Sequence, residues 1–204
     1  SWDGDEKGYK RENNERRLTG THRPDMGMVE PEIRVANFDE IVHGYTRDEA
    51  VIEADRCVEC GLCVATCPAH MDIPDYIRKV REGDFEGGLQ LMYQTNPFSQ
   101  TCGRVCTHNC ETACAAVHEG DAIAIRWLKR KITDSVPRER YYDLITKPDV
   151  QETGKKIAIV GAGPGGLTTA FDLARSGHLV VVFEALPKPG GMMRYGIPEY
   201  RLPY

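Results

Sequence analysis

Eight cysteines in two closely spaced runs restrict the fold of this 204-residue chain more than any other feature. The first run is CVECGLCVATCP, and the second is TCGRVCTHNCETAC, in which every fourth residue is a cysteine. On one continuous helix, the outer cysteines of the second run would lie about 18 Å apart, at about 1.5 Å per residue. No single metal centre covers that distance. Either the helix ends inside the run, or the four cysteines serve more than one site.

The first run has the spacing C-x2-C-x2-C-x3-C-P, through Cys57, Cys60, Cys63, Cys67 and Pro68. Bacterial ferredoxins use this spacing, in which three close cysteines bind one 4Fe–4S cluster and the fourth binds another. Two structural zinc sites, or disulfides, are the alternatives. Zinc sites seldom combine this third cysteine with a following Cys-Pro pair, so the run favours iron–sulfur clusters.

The second run supplies four more thiolates, which complete two clusters of four ligands each. We predict that one cluster is bound by Cys57, Cys60, Cys63 and Cys114. The other is bound by Cys67, Cys102, Cys106 and Cys110. Gly103 would loosen the first half of the run, and Thr107 or Asn109 would cap a helix that carries Cys110 and Cys114. For Cys102 alone, a buried thiol that binds no metal is the alternative.

Composition and charge exclude several classes of function. Eight cysteines without a secretory signal indicate metal or redox chemistry in a reducing compartment, so we expect a cytoplasmic protein. The net charge of −5 argues against a nucleic-acid partner. Apolar runs such as IAIV and LVVVF are too short to span a bilayer, so no membrane span is expected. No nucleophile–base pair or acid–base carboxylate pair is recognisable, and we therefore predict no catalytic residue.

Helical patterns surround the cysteines. Thr46 and Glu49 have the spacing of a capping box at a helix start. The segment MDIPDYIRKVREGDFEGGLQLMYQTNPF contains two short helical patterns, and DAIAIRWLKRKITDSV predicts an amphipathic helix with Ile125, Leu128 and Ile132 on one face. We predict an extended charged arm over residues 1–32, a helical iron–sulfur domain over 33–137 and a linker over 138–154.

The pattern changes at Lys155, where KKIAIVGAGPGGLTTAFDLARSGHLVVVFEA predicts a strand, a glycine-rich turn, a helix and a second strand. The turn reads G-x-G-x-x-G through Gly161, Gly163 and Gly166, between a strand and a helix, and in that context the motif binds a dinucleotide pyrophosphate. Glu184 would accept hydrogen bonds from a ribose and repel a 2′-phosphate, so FAD or NAD fits better than NADP. A structural turn without a ligand is the alternative.

Several segments together resemble one family of redox proteins. GYTRDEAVIEADRCVECGLCVATCP, MDIPDYI, NPFSQTCGRVC, CETAC and the segment from GAGPGG to YRLP occur in the order typical of that family. Over about residues 33–204 the chain is similar to the small-subunit family of glutamate synthase. That family includes the large subunit of the NADH-dependent ferredoxin:NADP oxidoreductase and the amino-terminal half of dihydropyrimidine dehydrogenase.

The resemblance implies an α + α/β fold class, with a helical domain that holds two 4Fe–4S clusters and then the first βαβ unit of a Rossmann-like FAD domain, over residues 155–204. It implies that the three glycines bind the FAD pyrophosphate, that Glu184 binds the FAD ribose, and that Gly191, Met192 and Arg194 contact the flavin. In several relatives a Glu or Gln side chain binds one cluster. The matching residue here is Lys129, which cannot bind iron, so Cys102 is the expected substitute.

The function that the resemblance implies is electron transfer among NAD(P)H, FAD and the clusters, in an oxidoreductase with other redox subunits as partners. The chain begins without methionine and ends at Tyr204, so we expect part of a longer protein. Its FAD site would be incomplete, NAD(P)H would bind through downstream sequence or a partner, and the piece alone would be inactive. A non-catalytic electron-transfer module is the alternative, and a zinc-stabilised scaffold is a weaker one.

Overall fold

The computed structural model describes residues 20–145 and 150–203. The expected arm therefore lies largely outside the described residues, as do residues 146–149 of the expected linker. Two compact units are present: the first combines the residues up to Met28 with Val42–Arg138, and the second combines Val29–Ile41 with the residues from Glu139 onwards. No helix in the described ranges is long and apolar enough to cross a membrane.

The helices and strands follow one another along the chain with short connections. The helices are α1 (Pro31–Arg34), α2 (Arg47–Asp55), α3 (Leu62–Thr66), α4 (Ile73–Arg81), α5 (Phe85–Thr95), α6 (Ser99–Val105), α7 (Asn109–Thr112), α8 (Ile125–Ser135), α9 (Arg138–Ile145), α10 (Pro164–Arg175) and α11 (Met192–Tyr195). The strands are β1 (Lys156–Val160) and β2 (Leu179–Phe183), and a 3-10 helix covers Ala115–His118.

The first unit is a group of short helices packed around α4 and α8. The predicted apolar face of α8 is confirmed, because Ile125, Leu128 and Ile132 are all buried. The predicted capping box also forms: the Thr46 hydroxyl accepts the Glu49 N–H at 3.3 Å, and the Glu49 carboxylate accepts the Thr46 N–H at 2.7 Å. The sequence therefore places α2 and α8 correctly.

A buried ion pair stands directly before the first cysteine run. Glu53 and Arg56 are 0% and 2% exposed, and Arg56 Nη1 donates to both Glu53 oxygens, at 2.9 and 2.8 Å. The Glu53 carboxylate also accepts the Ala124 N–H at 2.7 Å. Burial raises the pKa of the Glu53 carboxyl, while the bonds from Ala124 and Arg56 act in the opposite direction. The pair fixes the end of α2, from which Cys57 follows at once.

The second unit contains a parallel pair of strands joined by a helix. β1 and β2 pair in parallel from Lys156–Leu179 to Val160–Phe183, and α10 connects them. This confirms the strand, turn, helix and strand predicted from residue 155. One face of the pair, with Ile159, lies against α10; the other is exposed, with Val160 90% and Leu179 57% exposed.

Two regions differ from the expected organisation. Residues 138–145, predicted as linker, form α9, in which Arg140 and Asp143 make an i,i+3 ion pair at 3.4 Å. Residues 29–41 belong to the second compact unit, where the Phe38 and Tyr200 rings lie 6.3 Å apart. The linker therefore contains helix, while the predicted functional boundaries between the domains stay predictions.

Candidate iron–sulfur and dinucleotide sites

The second cysteine run is not one helix. α6 carries Cys102 and ends at Val105, and Cys106 has extended backbone with φ −63° and ψ 143°. His108 then adopts the left-handed conformation, with φ +49°, before α7 begins at Asn109. Cys110 lies on α7 and Cys114 follows it. The break removes the separation of about 18 Å that a continuous helix would impose.

Two details of the predicted break are wrong. The residue that precedes α7 is His108, not Thr107 or Asn109, and its side chain makes no capping hydrogen bond. Gly103 does not loosen the run, because it is buried within α6 against α8. A Cβ at this position would lie only 2.9 Å from the Arg130 Cα. Gly103 therefore serves the close approach of two helices, which sequence spacing cannot reveal.

The four predicted ligands of the first cluster line one cavity. Cys57, Cys60, Cys63 and Cys114 line it together with apolar side chains that include Ile77. Burial raises the pKa of the Cys57 thiol to about 12, and burial also raises the pKa of the Cys63 thiol. Thiolates in such an apolar cavity need nearby positive charge, which bound iron supplies. The cavity therefore fits an iron–sulfur cluster.

Glu59 anchors the loop that carries Cys57 and Cys60. Its backbone is left-handed, with φ +56°, which is an unfavourable conformation for a residue other than glycine. Its side chain is 6% exposed and accepts Arg78 Nη2 at 2.6 Å and Arg81 Nη2 at 2.9 Å. The Glu59 N–H also donates to Cys57, which lowers the pKa of that thiol against the larger effect of burial. Sequence reasoning missed this anchor, for which the basic end of α4 was the available signal.

Three of the four predicted ligands of the second cluster are neighbours. The pKa of the Cys110 thiol is raised to about 12, first by burial and then by the charge of Glu111, with smaller contributions from Cys67 and Cys106. Cys106 Sγ accepts the His108 N–H at 3.4 Å. The structure therefore places Cys67 and Cys106 near Cys110, and Cys63 of the first predicted set is also near Cys110.

Cys102 lies in the middle of α6, one helical turn before Cys106. Its Sγ accepts Asn96 Nδ2 at 3.3 Å. No hydrogen bond in the described part of the chain joins this sulfur to Cys67, Cys106 or Cys110. The assignment of Cys102 as the fourth ligand stays a prediction.

The alternatives of a zinc site and of disulfides can be compared with the cysteines of the structure. Within residues 20–145 and 150–203, no three His, Cys, Asp or Glu side chains form a group suited to one metal ion. None of the eight cysteines forms a disulfide. A zinc ion with thiolates at about 2.3 Å draws its sulfurs to about 4 Å from one another, whereas a cubane holds its thiolates on separate iron atoms. The preference for clusters over zinc rests on the C-x2-C-x2-C-x3-C-P spacing of the first run.

The glycine-rich turn has the geometry that its motif requires. Gly161 has φ +98°, and Gly163 immediately precedes α10. A Cβ at Gly166 would collide with the Gly161 carbonyl oxygen, so this glycine permits the helix to pack on the strand. A Cβ at Gly163 would meet nothing closer than the Gly191 Cα at 3.9 Å. Gly163 therefore leaves open space in front of the helix N-terminus.

The other predicted dinucleotide residues lie against this turn. The Glu184 carboxylate accepts the Leu186 N–H at 2.8 Å and the Ala162 N–H at 2.7 Å, and both bonds lower the pKa of this half-buried group. The Gly190 N–H donates to the Ala162 carbonyl at 2.8 Å. Gly191 is so close that a Cβ there would lie 2.7 Å from the Gly163 Cα, and α11 with Met192 and Arg194 follows directly. The structure brings these residues to one place.

Two family models match the two parts of the chain. The model described as dihydropyrimidine dehydrogenase domain II, 4Fe-4S cluster, matches residues 34–141. The model described as an NAD(P)-binding Rossmann-like domain matches residues 159–204. The first match covers the helical unit with all eight cysteines, and the second covers the glycine-rich turn.

Several curated proteins are similar to most of the chain. The glutamate synthase (NADPH) small chain of Escherichia coli (strain K12) is 37% identical over 190 residues, covering 87% of this chain and 39% of that protein. The NADP(+)-dependent formate dehydrogenase subunit beta of Moorella thermoacetica is 42% identical over 160 residues, covering 69% of this chain and 23% of that protein. The NADPH-Fe(3+) oxidoreductase subunit beta of Geobacter sulfurreducens (strain DL-1 / KN400) is 41% identical over 148 residues, covering 69% of this chain and 21% of that protein. The chain therefore spans about two-fifths or less of these relatives.

Proposed function

Because the chain belongs to the dihydropyrimidine dehydrogenase domain II, 4Fe-4S cluster family and is related to glutamate synthase small chains, we propose that it carries electrons between FAD and two 4Fe–4S clusters. The electrons come from, or pass to, NAD(P)H in a larger oxidoreductase. The relatives compared above carry NADPH or NADP(+) in their names, which supports nicotinamide as the exchange partner.

The observation that carries this proposal is the gathering of cysteines from both runs within the first unit. Cys57, Cys60, Cys63 and Cys114 line one cavity, while Cys67 and Cys106 lie near Cys110. Two 4Fe–4S clusters need eight thiolates, and the first unit has eight cysteines. Cysteines on α6, directly after it and on α7 would allow both clusters to sit in one small domain.

FAD is the proposed ligand of the second unit. Gly161 and Gly163 leave space for a pyrophosphate before the N-terminus of α10, where backbone N–H groups favour an anion. The Glu184 carboxylate lies at the end of β2, beside the turn, and is suited to a ribose hydroxyl. We assign the pyrophosphate to Gly161, Gly163 and Gly166, the ribose to Glu184, and flavin contacts to Gly191, Met192 and Arg194.

The partners proposed for the chain are other redox subunits. The relatives are named as a small chain and as beta subunits, and these names support a place in a multi-subunit enzyme. Nicotinamide would bind through further sequence or through a partner. Eight cysteines without a disulfide are usual in a reducing compartment, which supports a cytoplasmic location.

We expect Gly163→Val to remove the flavin and leave the clusters. The added side chain fills the space in front of α10, where the nearest described atom to a Cβ is 3.9 Å away, so the fold can accept it while the pyrophosphate cannot. In the enzyme as isolated, flavin per chain should fall at least tenfold and iron per chain should stay the same. Dithionite should still reduce the clusters of the variant, whereas NADPH and NADH should not.

Ala174→Val is the matched control, because it adds bulk to an exposed position near the other end of α10. This variant should keep its flavin and its reduction by nicotinamide. Cluster reduction by NADPH or NADH at the wild-type rate in Gly163→Val would show that electrons do not pass through a flavin bound at this turn.

A further inference from the structure

Lys129 is a buried cation beside the second group of cysteines, by which we mean Cys67, Cys106 and Cys110. It is 6% exposed on α8, and its Nζ lies 3.1 Å from Met71 Sδ and 5.9 Å from the centre of the Tyr76 ring. Across the described ranges it makes no ion pair with a carboxylate. A thioether is a weak acceptor, and a buried ammonium without an anion is strongly unfavourable. The position calls for a negative charge.

Glu111, the carboxylate next to Cys110 in the sequence, has other partners. Glu111 accepts the Arg126 N–H at 2.9 Å and pairs with Arg23 at 3.5 Å. Cys110, the neighbour of Glu111, feels the positive charge of Lys129, which opposes the rise in the pKa of this thiol that burial causes. A thioether and an amide also connect Lys129 to Cys102: Asn96 Nδ2 lies 3.8 Å from Met71 Sδ and 3.3 Å from Cys102 Sγ. Lys129 therefore faces the second group of cysteines.

Tyr76 supplies a second buried donor at the same place. The residue is 1% exposed, and its hydroxyl has no hydrogen-bond partner in the described structure. Burial raises the pKa of this hydroxyl well above its usual range, and the neighbouring thiols of Cys110, Cys63 and Cys67 raise it further. Buried hydroxyl groups without a partner are rare, so an acceptor is expected here.

A 4Fe–4S cluster with four thiolates satisfies both requirements, because it is an anion whose sulfur atoms accept hydrogen bonds. We propose that Lys129 is the counter-ion of the second cluster, and that its ammonium and the Tyr76 hydroxyl donate to the sulfur atoms of that cluster and raise its reduction potential above that of the first. This inference rests on the proposed function, since it requires two clusters.

The first cavity has no such unpaired cation among the described residues that line it. Arg56 lines it, but Glu53 neutralises its guanidinium at 2.8 Å. Reduction of a cluster adds one electron, breaks no bond and moves no proton to or from Lys129. The added negative charge interacts favourably with a nearby ammonium, so the reduced second cluster is stabilised relative to the first. At equilibrium, an electron that enters either cluster is then found mainly on the second cluster.

The test is a potentiometric titration followed by EPR, with wild-type protein and with Lys129→Met, which keeps the length of the side chain and removes its charge. One cluster should become at least tenfold harder to reduce in the variant, which is about 59 mV for a one-electron couple. The other should not change. In a Cys57→Ala background, which lacks the first cluster, Lys129→Met should still shift the remaining signal. Tyr76→Phe should shift the same cluster in the same direction by a smaller amount.

Lys131→Met is the matched control, because it removes the same charge from α8 at a position that interacts with Glu49 instead. Equal effects of the two lysine variants, or unchanged potentials in Lys129→Met, would overturn the inference. If Lys129→Met loses the second cluster, retention in Lys129→Arg supports the counter-ion, and loss in both variants contradicts it. A wild-type protein with fewer than two reducible clusters would instead refute the proposed function.

Discussion

Cys67→Ala and Cys102→Ala are expected to remove the same cluster, and Cys57→Ala is expected to remove the other. Each variant should lose about half of the iron and one of two EPR signals, because a cubane with three thiolates and no replacement ligand is readily lost. The physical basis for Cys57 is the cavity that it shares with Cys60, Cys63 and Cys114. For Cys102 the basis is its position one turn before Cys106, together with the family resemblance, which implies that Lys129 replaces a ligand.

Thr101→Ala provides the control, since it alters the residue next to Cys102 on α6 and removes no thiol. It should keep the full iron content and both signals. Two intact clusters in Cys102→Ala would exclude this cysteine as a ligand and leave it as a buried thiol near Asn96. Loss of different signals in Cys67→Ala and Cys102→Ala would refute the proposed grouping.

Removal of the iron is expected to unfold much of the first unit. The cysteine runs are carried by α3, α6 and α7, which have 5, 7 and 4 residues and are too short to be stable alone. Without iron, the sulfur atoms no longer tie these helices together, so metal binding is coupled to folding. Hydrogen exchange of the iron-free protein should show protection reduced on the order of 100-fold over residues 57–114.

The second unit provides the internal control for that experiment. β1, α10 and β2 contain no cysteine, so their protection should change little when iron is removed. Equal protection of residues 57–114 with and without iron would mean that packing around α4 and α8 holds the cysteine loops in place alone. The clusters would then bind to a domain that is already folded without them.

The predicted family resemblance and fold class are confirmed, and both depended on local patterns. Each of these patterns involves only a few neighbouring residues. They are the cysteine spacing, the capping box at Thr46, the apolar period of α8 and the glycine turn. The structure agrees with the last three of these directly. Local physical constraints of this kind are visible in a single sequence.

Features that depend on tertiary packing were missed. Gly103 suggested a flexible point, yet the backbone of Arg130 on another helix explains it. The left-handed Glu59 is stabilised by arginines about 20 residues away on α4, and the orphan hydroxyl of Tyr76 becomes visible only when α4 packs beside the cysteines. The segment of α9 was predicted as linker, and in the structure none of its residues is buried.

The count of iron and acid-labile sulfide per chain tests the central claim most directly. Protein purified without oxygen should contain about eight iron and eight sulfide per chain, as two 4Fe–4S clusters require, and reduction should produce two EPR signals. Stoichiometric zinc in place of iron would contradict the account. So would about four iron per chain with a single signal, since half of the cysteines would then lack the role assigned to them.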